Sequence, residues 1–402
     1  MKRSRWLLIS LCSLCLFAGC GGGSGGSGNN LGGGASGNGG GNGGGNAGGG
    51  DTSGSFALAG SMAFARQGHT AVLLTDGNVL IAGGSNASGD LATAEIFETA
   101  TGDFAGTGSM NTARVGHTAT LLNGGKVLVA GGGTYSAEIF DPTSGTFTLT
   151  GSMQNARTGH TATLLNDGRV LVAGGGSATA EVFDPKTGVF TAAGNMIASR
   201  IYHTATLLAN GEVLLAGGTD SGGTALGELF DPSTSSFSPT ATGGTQALHL
   251  AATSLQDGRV FLAGGQLTTI ISGGSTRCCV YGPVSASLAN LFDIGSDSFS
   301  AVGDMSAARS SLTETLLPNG DVLIVGGATI STTAVGTLAV TSVQPQASAE
   351  LFHPSSSTFA PTGNLNIARA GQTATMLGNG QVLVIGGVDA NGNPLASAEL
   401  YH

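Results

Sequence analysis

Charge is scarce in this 402-residue chain: Asp, Glu, Lys and Arg make up only 9% of it. The 14 basic residues are outnumbered by 24 acidic ones, the net charge is −10, and no run of Lys or Arg occurs. Phosphate binding needs clustered cations, so nucleic acid is excluded as a partner. Aromatics are 5% of the chain, and the single tryptophan is Trp6. No window sustains an apolar period of 3.6, which argues against a helical fold. No nucleophile elbow, phosphate-binding loop or paired-histidine metalloprotease signature is present. Cysteine is rare too, with five in all. Three lie within the first 20 residues, and the other two, Cys278 and Cys279, are adjacent. No second ligand pair stands at zinc-finger spacing from them. Neighbouring cysteines close only a strained small ring. A Cys278–Cys279 disulfide is the expectation, with free thiols or a metal or intermolecular role as alternatives. What the chain has in quantity is glycine, 72 residues of it.

The N-terminus reads MKRSR, then the 12-residue apolar run WLLISLCSLCLF, then AGC at 18–20. A positive start, a short apolar core and a small-residue site make a secretory signal, too short to span a bilayer comfortably. The stretch FAGC resembles a bacterial lipobox, with Phe17 where leucine is usual. The resemblance implies cleavage before Cys20 and lipid on it, so that its acyl chains anchor the protein to a membrane. Plain cleavage with Cys20 incidental is the alternative. Gly21 follows the cysteine, which resembles an outer-membrane address. Residues 21–54 are almost all Gly, Asn and Ser, have nothing to bury and cannot offset the entropy of ordering. A Gly-rich tether of this length spans roughly 30–35 Å. The expected organisation is a lipoprotein signal over 1–19, a lipidated cysteine and tether over 20–54, and a folded domain over 55–402.

That domain is a repeat array. Diglycines end apolar runs at 83–84, 131–132, 174–175, 217–218, 264–265, 326–327 and 386–387. Before each comes a string like RTGHTATLLNDGRVLVAGG (157–175), and after it AEIFDP or a variant, a turn and a phenylalanine. Each unit has four short runs rich in Val, Ile, Leu, Thr and Phe, parted by DG, NG and GG turns. These read as four antiparallel strands. One such sheet cannot bury both faces, but seven packed radially can, which predicts an all-β, seven-bladed β-propeller. The last unit stops at residue 402 after three strands. SGSFALAGSM near residue 55 has the form of a fourth strand with no unit before it. The N-terminal strand is therefore expected to complete the last blade and close the ring, removing two open sheet edges.

The recurring R-x-G-H, diglycine, acidic third strand and closing aromatic resemble kelch repeats of the bacterial and galactose-oxidase type, with Phe in place of the usual Trp. The resemblance covers all of 55–402. It implies the propeller, but kelch propellers serve both as enzymes and as binding platforms, so it leaves function open.

Three constellations carry candidate chemistry. Arg66, Arg114, Arg157, Arg200, Arg309 and Arg369 precede six first strands, and Glu95, Glu138, Glu181, Glu228, Glu350 and Glu399 lie on six third strands. The fifth unit has Ala247 and Asn290 instead, so both partners are lost together. Joint loss is what a buried ion pair within one blade predicts, because stranding one charge is costly. Aligned on the turns, the first strands also give a ring of His69, His117, His160, His203, Leu250, Leu312 and Gln372. As repeat consensus, each histidine is expected to hydrogen-bond its own blade; a transition-metal cluster is the alternative. In the third constellation, RIYHTATLL (200–208) closely resembles the copper-ligand segment of galactose-oxidase-type copper radical oxidases. By that match Tyr202 and His203 are the ligands. The family's second tyrosine, cross-linked to cysteine, would fall at Gly68, Gly116 or Gly159, and its further histidine on a C-terminal domain this sequence does not contain. His249 stands in the next unit where Tyr202 stands in its own, so the three form a candidate ligand-facing rim.

Long connections between second and third strands occur at 266–289, 328–348 and 388–397, with shorter ones at 85–93 and 219–227. They fall on the face where the rim opens, and extra residues gathered on one face mark a binding face. DANGN (389–393) alternates like a calcium loop but lacks the following glycine and the closing glutamate, so a polar turn is expected. These signs lead to an exported, lipid-anchored module that binds a protein or polysaccharide without catalysis at the bacterial envelope. It is expected to be monomeric, without cofactor or catalytic residues. An enzyme diverged from the copper radical oxidases, acting on sugars or aldehydes, is the first alternative, and a purely structural envelope protein the second.

Overall fold

The computed structural model describes residues 54–218, 227–241, 247–273, 279–335 and 338–402. The folded unit runs from Ser53 to His402. It contains no helix among the described residues. Seven antiparallel sheets, each built on a four-stranded meander, stand around an axis as the blades of a β-propeller.

The third blade shows how sequence makes a blade. Its strands are His160–Leu164, Val170–Gly174, Ser177–Asp184 and Val189–Arg200, hydrogen-bonded in that order. The turn at Asp167–Gly168 closes the first hairpin, with Gly168 at φ +88°, a left-handed conformation that favours glycine. The second strand, VLVAG, is buried along its whole length, since neighbouring blades cover both its faces. The fourth-strand Phe190 packs on the third-strand Phe183 with ring centroids 4.7 Å apart. That contact gives the closing aromatic of each repeat its place. Apolar clusters fill the spaces between blades. One joins Leu165, Leu171 and Ala173 of blade 3 to Val213, Leu215 and Phe230 of blade 4.

The ring closes as the orphan strand predicts. Phe56–Arg66 pairs with Leu395–Tyr401, in register Phe56↔Tyr401 and Leu58↔Glu399. Ser55 and His402 exchange backbone hydrogen bonds, 3.3 and 3.0 Å. Phe56 packs at a tilt on Tyr401, ring centroids 5.0 Å apart, as the fourth-strand phenylalanine does on the third-strand ring elsewhere.

Two insertions rise as hairpins. Gln266–Gly273 pairs with the start of Cys279–Asp293 in blade 5, and Ala328–Val335 pairs with Leu338–Pro345 in blade 6. They lean on each other. The Ile330 N–H donates to Ser285 Oγ at 3.1 Å, and Thr332 Oγ1 donates to the Pro283 carbonyl at 2.6 Å. The insertion at 85–93 holds only a two-residue ladder. In 388–397, Asp389 accepts the N–H groups of Asn391 and Asn393, which makes a self-capped polar turn. Cys20, Cys278 and residues 219–226 lie outside the described residues.

Candidate functional site

The arginines and glutamates meet, each arginine standing where the chain leaves one blade and enters the blade that carries its glutamate. Arg114 Nη2 lies 2.9 Å from Glu138 Oε1, Arg66 2.6 Å from Glu95, Arg157 2.9 Å from Glu181, and Arg200 2.7 Å from Glu228. Arg309 and Glu350 are 3.2 Å apart, Arg369 and Glu399 2.7 Å. All are buried. Each guanidinium also donates to the carbonyl of its own blade's first diglycine residue, as Arg157 Nη1 does to Gly174 at 2.6 Å. The arginine's own carbonyl accepts a diglycine N–H of the preceding blade, as Arg157 does from Gly132 at 2.8 Å. These pairs hold the frame and leave no charge for a ligand.

The histidine ring is structural as well, by a different bond from the one expected. Each Nε2 reaches across to the preceding blade: His69 to Thr373 (3.1 Å), His117 to Thr70 (3.0 Å), His160 to Thr118 (3.0 Å) and His203 to Thr161 (2.9 Å). The imidazole wedges against the first glycine of that blade's diglycine. A Cβ on Gly174 would sit 2.6 Å from His203 Cε1. Burial, aided by the neighbouring arginine, lowers all four imidazoles to about 3. Leu250, Leu312 and Gln372 fill the same wedge in blades 5, 6 and 7.

Just outside this wedge runs a second ring, at the mouth of the central channel. Gly68, Gly116, Gly159, Tyr202, His249, Ser311 and Gly371 all have φ between +53° and +65°. Their peptides are joined head to tail. Gly116 N–H donates to Gly68 O, Gly159 to Gly116, Tyr202 to Gly159, His249 to Tyr202, Ser311 to His249 and Gly371 to Ser311, at 2.8–3.2 Å. This backbone needs the left-handed region, where a side chain costs on the order of 1 kcal/mol. Four blades use glycine. Three consecutive blades accept the cost, and strain retained in this way clusters at functional sites. The Tyr202 ring lies along the rim, covering Gly159 on one side and stacking on His249 on the other, centroids 4.1 Å apart and planes 25° apart. Burial lowers the His249 imidazole to about 4, so it is neutral at pH 7 and can accept a hydrogen bond. Tyr202, His249 and Ser311 thus set a phenol, an imidazole and a hydroxyl along one arc. The paired hairpins of blades 5 and 6 arise from the same blades as His249 and Ser311.

Two residues of this region escape the motif reading. Ser311 breaks the glycine column of the rim, and Glu314 breaks a column that is alanine in the six other blades. Column-by-column comparison of the first strands would have found both.

No family model matches the sequence, and no curated protein matches it. Among solved structures the propeller is similar to a novel fungal alcohol oxidase of the AA5 family in complex with copper. The TM-score is 0.69 at 19% identity, over 87% of this chain and 76% of that one. The likeness is one of fold. It corrects the expectation of a non-catalytic binding module: the similar propeller is an enzyme, so the comparison favours the enzymatic alternative.

The residues present do not complete a radical copper centre. Tyr202 stands where the resemblance puts it, but His203 Nε2 is committed to Thr161 inside the blade interface. Gly68, Gly116 and Gly159 offer no side chain where a second tyrosine would stand. No group of three His, Cys, Asp or Glu able to hold a metal occurs among the described residues.

Proposed function

We propose that the protein is an enzyme acting on sugars or aldehydes at the channel mouth, related in fold to the copper alcohol oxidases and divergent from them in its site. The observation that carries this reading is the Tyr202–His249 stack, with both backbones in a conformation that four other blades assign to glycine. Both faces of the Tyr202 ring are covered, by Gly159 and by His249, so the pair meets substrate through its polar atoms. The neutral His249 imidazole accepts a hydrogen bond from a substrate hydroxyl, and the Tyr202 phenol can donate one to a carbonyl or hydroxyl oxygen. Substrate reaches the site over the insertion face. On the same reading the protein works at the cell envelope, tethered through lipid on Cys20; radiolabelled fatty acid should enter the protein and be lost in Cys20→Ala.

The test is turnover of a panel of sugars, primary alcohols and aldehydes, with copper present and absent, read by substrate loss and hydrogen peroxide release. Tyr202→Phe and His249→Ala should each lower it by about 100-fold or more, the effect of removing a positioned acid or base. No turnover on the whole panel in either condition would overturn the proposal.

A further inference from the structure

Glu314 lies on the first strand of blade 6, Thr313–Leu316, on the face it shares with Leu312 and Leu316. Those two leucines pack into the apolar cluster between blades 5 and 6, with Ala251, Phe261, Ala263 and Ile324. The equivalent places in the other blades hold Ala71, Ala119, Ala162, Ala205, Ala252 and Ala374. A carboxyl thus occupies an apolar seam that the repeat fills with a methyl group. Both its oxygens are buried and without a hydrogen-bond partner. The Thr253 hydroxyl and the Ala263 N–H, both from blade 5, come near enough to favour its charged form but make no hydrogen bond of good geometry, and burial outweighs them. Strands Ala251–Ser254, Val260–Ala263, Val322–Val325 and Thr373–Met376 surround it and carry no titratable side chain. Burial therefore holds its proton well above the usual carboxylate range.

An unpaired carboxylate here would need a cation or water, and one acid beside a single threonine is a poor ligand set for a metal ion. A proton is the cheapest neutraliser. The seam is also the joint on which the site depends. At the rim it is crossed by the Ser311 N–H to His249 carbonyl bond, 3.1 Å, and behind the rim by the Gly265 N–H to Arg309 carbonyl bond, 2.8 Å. The two leaning hairpins span it above. We propose that the seam between blades 5 and 6 is a pH-operated joint, with Glu314 as its titrating group. Protonated, the carboxyl lets the leucines close around it. Ionised, it draws water in, loosens the His249–Ser311 edge of the channel mouth and frees the hairpins from each other. This holds whatever reaction the mouth performs.

The sign follows from linkage. A carboxyl with a raised folded pKa binds its proton more tightly when the seam is closed than when it is open. Closure is fully favoured below the ordinary value of 4.5 and weakens as pH rises toward the folded value, by up to about tenfold per pH unit. The experiment is amide hydrogen exchange by mass spectrometry on the full chain from pH 5 to 9, corrected for the intrinsic pH dependence of exchange. Glu314→Gln and Glu314→Ala are compared with the unaltered protein, the alanine being the residue that six blades already carry. Segments 247–265 and 309–316 should lose protection with rising pH in the unaltered protein and hold it in both variants, while 117–131 in blade 2 stays constant in all three. Equal pH dependence in protein and variants would overturn the proposal, as would a loss spread evenly over all blades. Protection restored at pH 9 by sodium or calcium in the unaltered protein alone would overturn it in favour of a cation site.

Discussion

Blades 1 to 3 and blades 4 to 6 share one four-stranded plan and differ along their inner edges. In the first group every rim residue is glycine, every wedge is histidine and every arginine has its glutamate. In the second, the rim carries Tyr202, His249 and Ser311. Blades 5 and 6 have leucine wedges, blade 5 lacks the ion pair, and Glu314 stands in an apolar seam. The regular half shows what the propeller requires in order to stand. The irregular arc shows how much of that can be given up, and Tyr202, His249, Ser311 and Glu314 are side chains that the regular half does without.

The largest test of this contrast is the ion pair. Arg157→Ala should destabilise the protein by about 3–5 kcal/mol, because it strands Glu181 in a buried site. The double change Arg157→Ala with Glu181→Asn copies what blade 5 already has and should cost much less; denaturant unfolding of both would measure the difference. A double variant no better than the single one would break the idea that blade 5 marks a tolerated state.

Next in size is acid. A histidine wedge with its folded pKa near 3 against an ordinary 6.5 stabilises the neutral protein above pH 6.5 and loses that contribution as pH falls toward 3. Each wedge should cost about 2–3 kcal/mol at pH 4.5 relative to neutrality. His160→Leu, the wedge of blades 5 and 6, should therefore remove part of the acid sensitivity, seen as a smaller fall in unfolding free energy between pH 7 and 4.5.

Gly174→Ala should cost about 1–3 kcal/mol by overpacking against His203 and the Arg200 carbonyl. The same change at Gly133, with no atom within reach of the added methyl, carries only the cost of its left-handed backbone. Melting temperatures of the two would separate contact from conformation. The smallest stability effect is expected at the rim. Tyr202→Gly relieves strain on the order of 1 kcal/mol and loses a ring stack worth about the same, so stability should barely move while turnover is lost. A loss of several kcal/mol would instead make Tyr202 part of the frame.

Much of the fold was legible before any coordinates. The diglycine period counted the blades, and the orphan strand at 56–66 found its place at Leu395–Tyr401 because the last unit lacked a fourth strand. The Arg and Glu columns were legible as pairs because blade 5 drops both members. The histidine ring was less so. The sequence places His160 in blade 3, but its partner, Thr118, is 42 residues away in another blade, and nothing in a repeat consensus says whether a bond stays within the repeat. Tyr202 and His249 could be aligned, yet their stacking depends on two adjacent blades bringing rings together along the rim. Ser311 and Glu314 carry no repeat motif: the consensus is written in residues that the blades share, and these two are informative by departing from it.

The sequence by itself determined the blade, its number and the way the ring shuts, because periodic apolar strands with glycine turns have one economical way to bury both faces. Only the tertiary structure decided which polar groups serve the frame and which are left over. That choice rests on distances across blade seams, where His203 is consumed by Thr161, His249 lies against Tyr202, and the Glu314 carboxyl is shut in with leucines and without a partner.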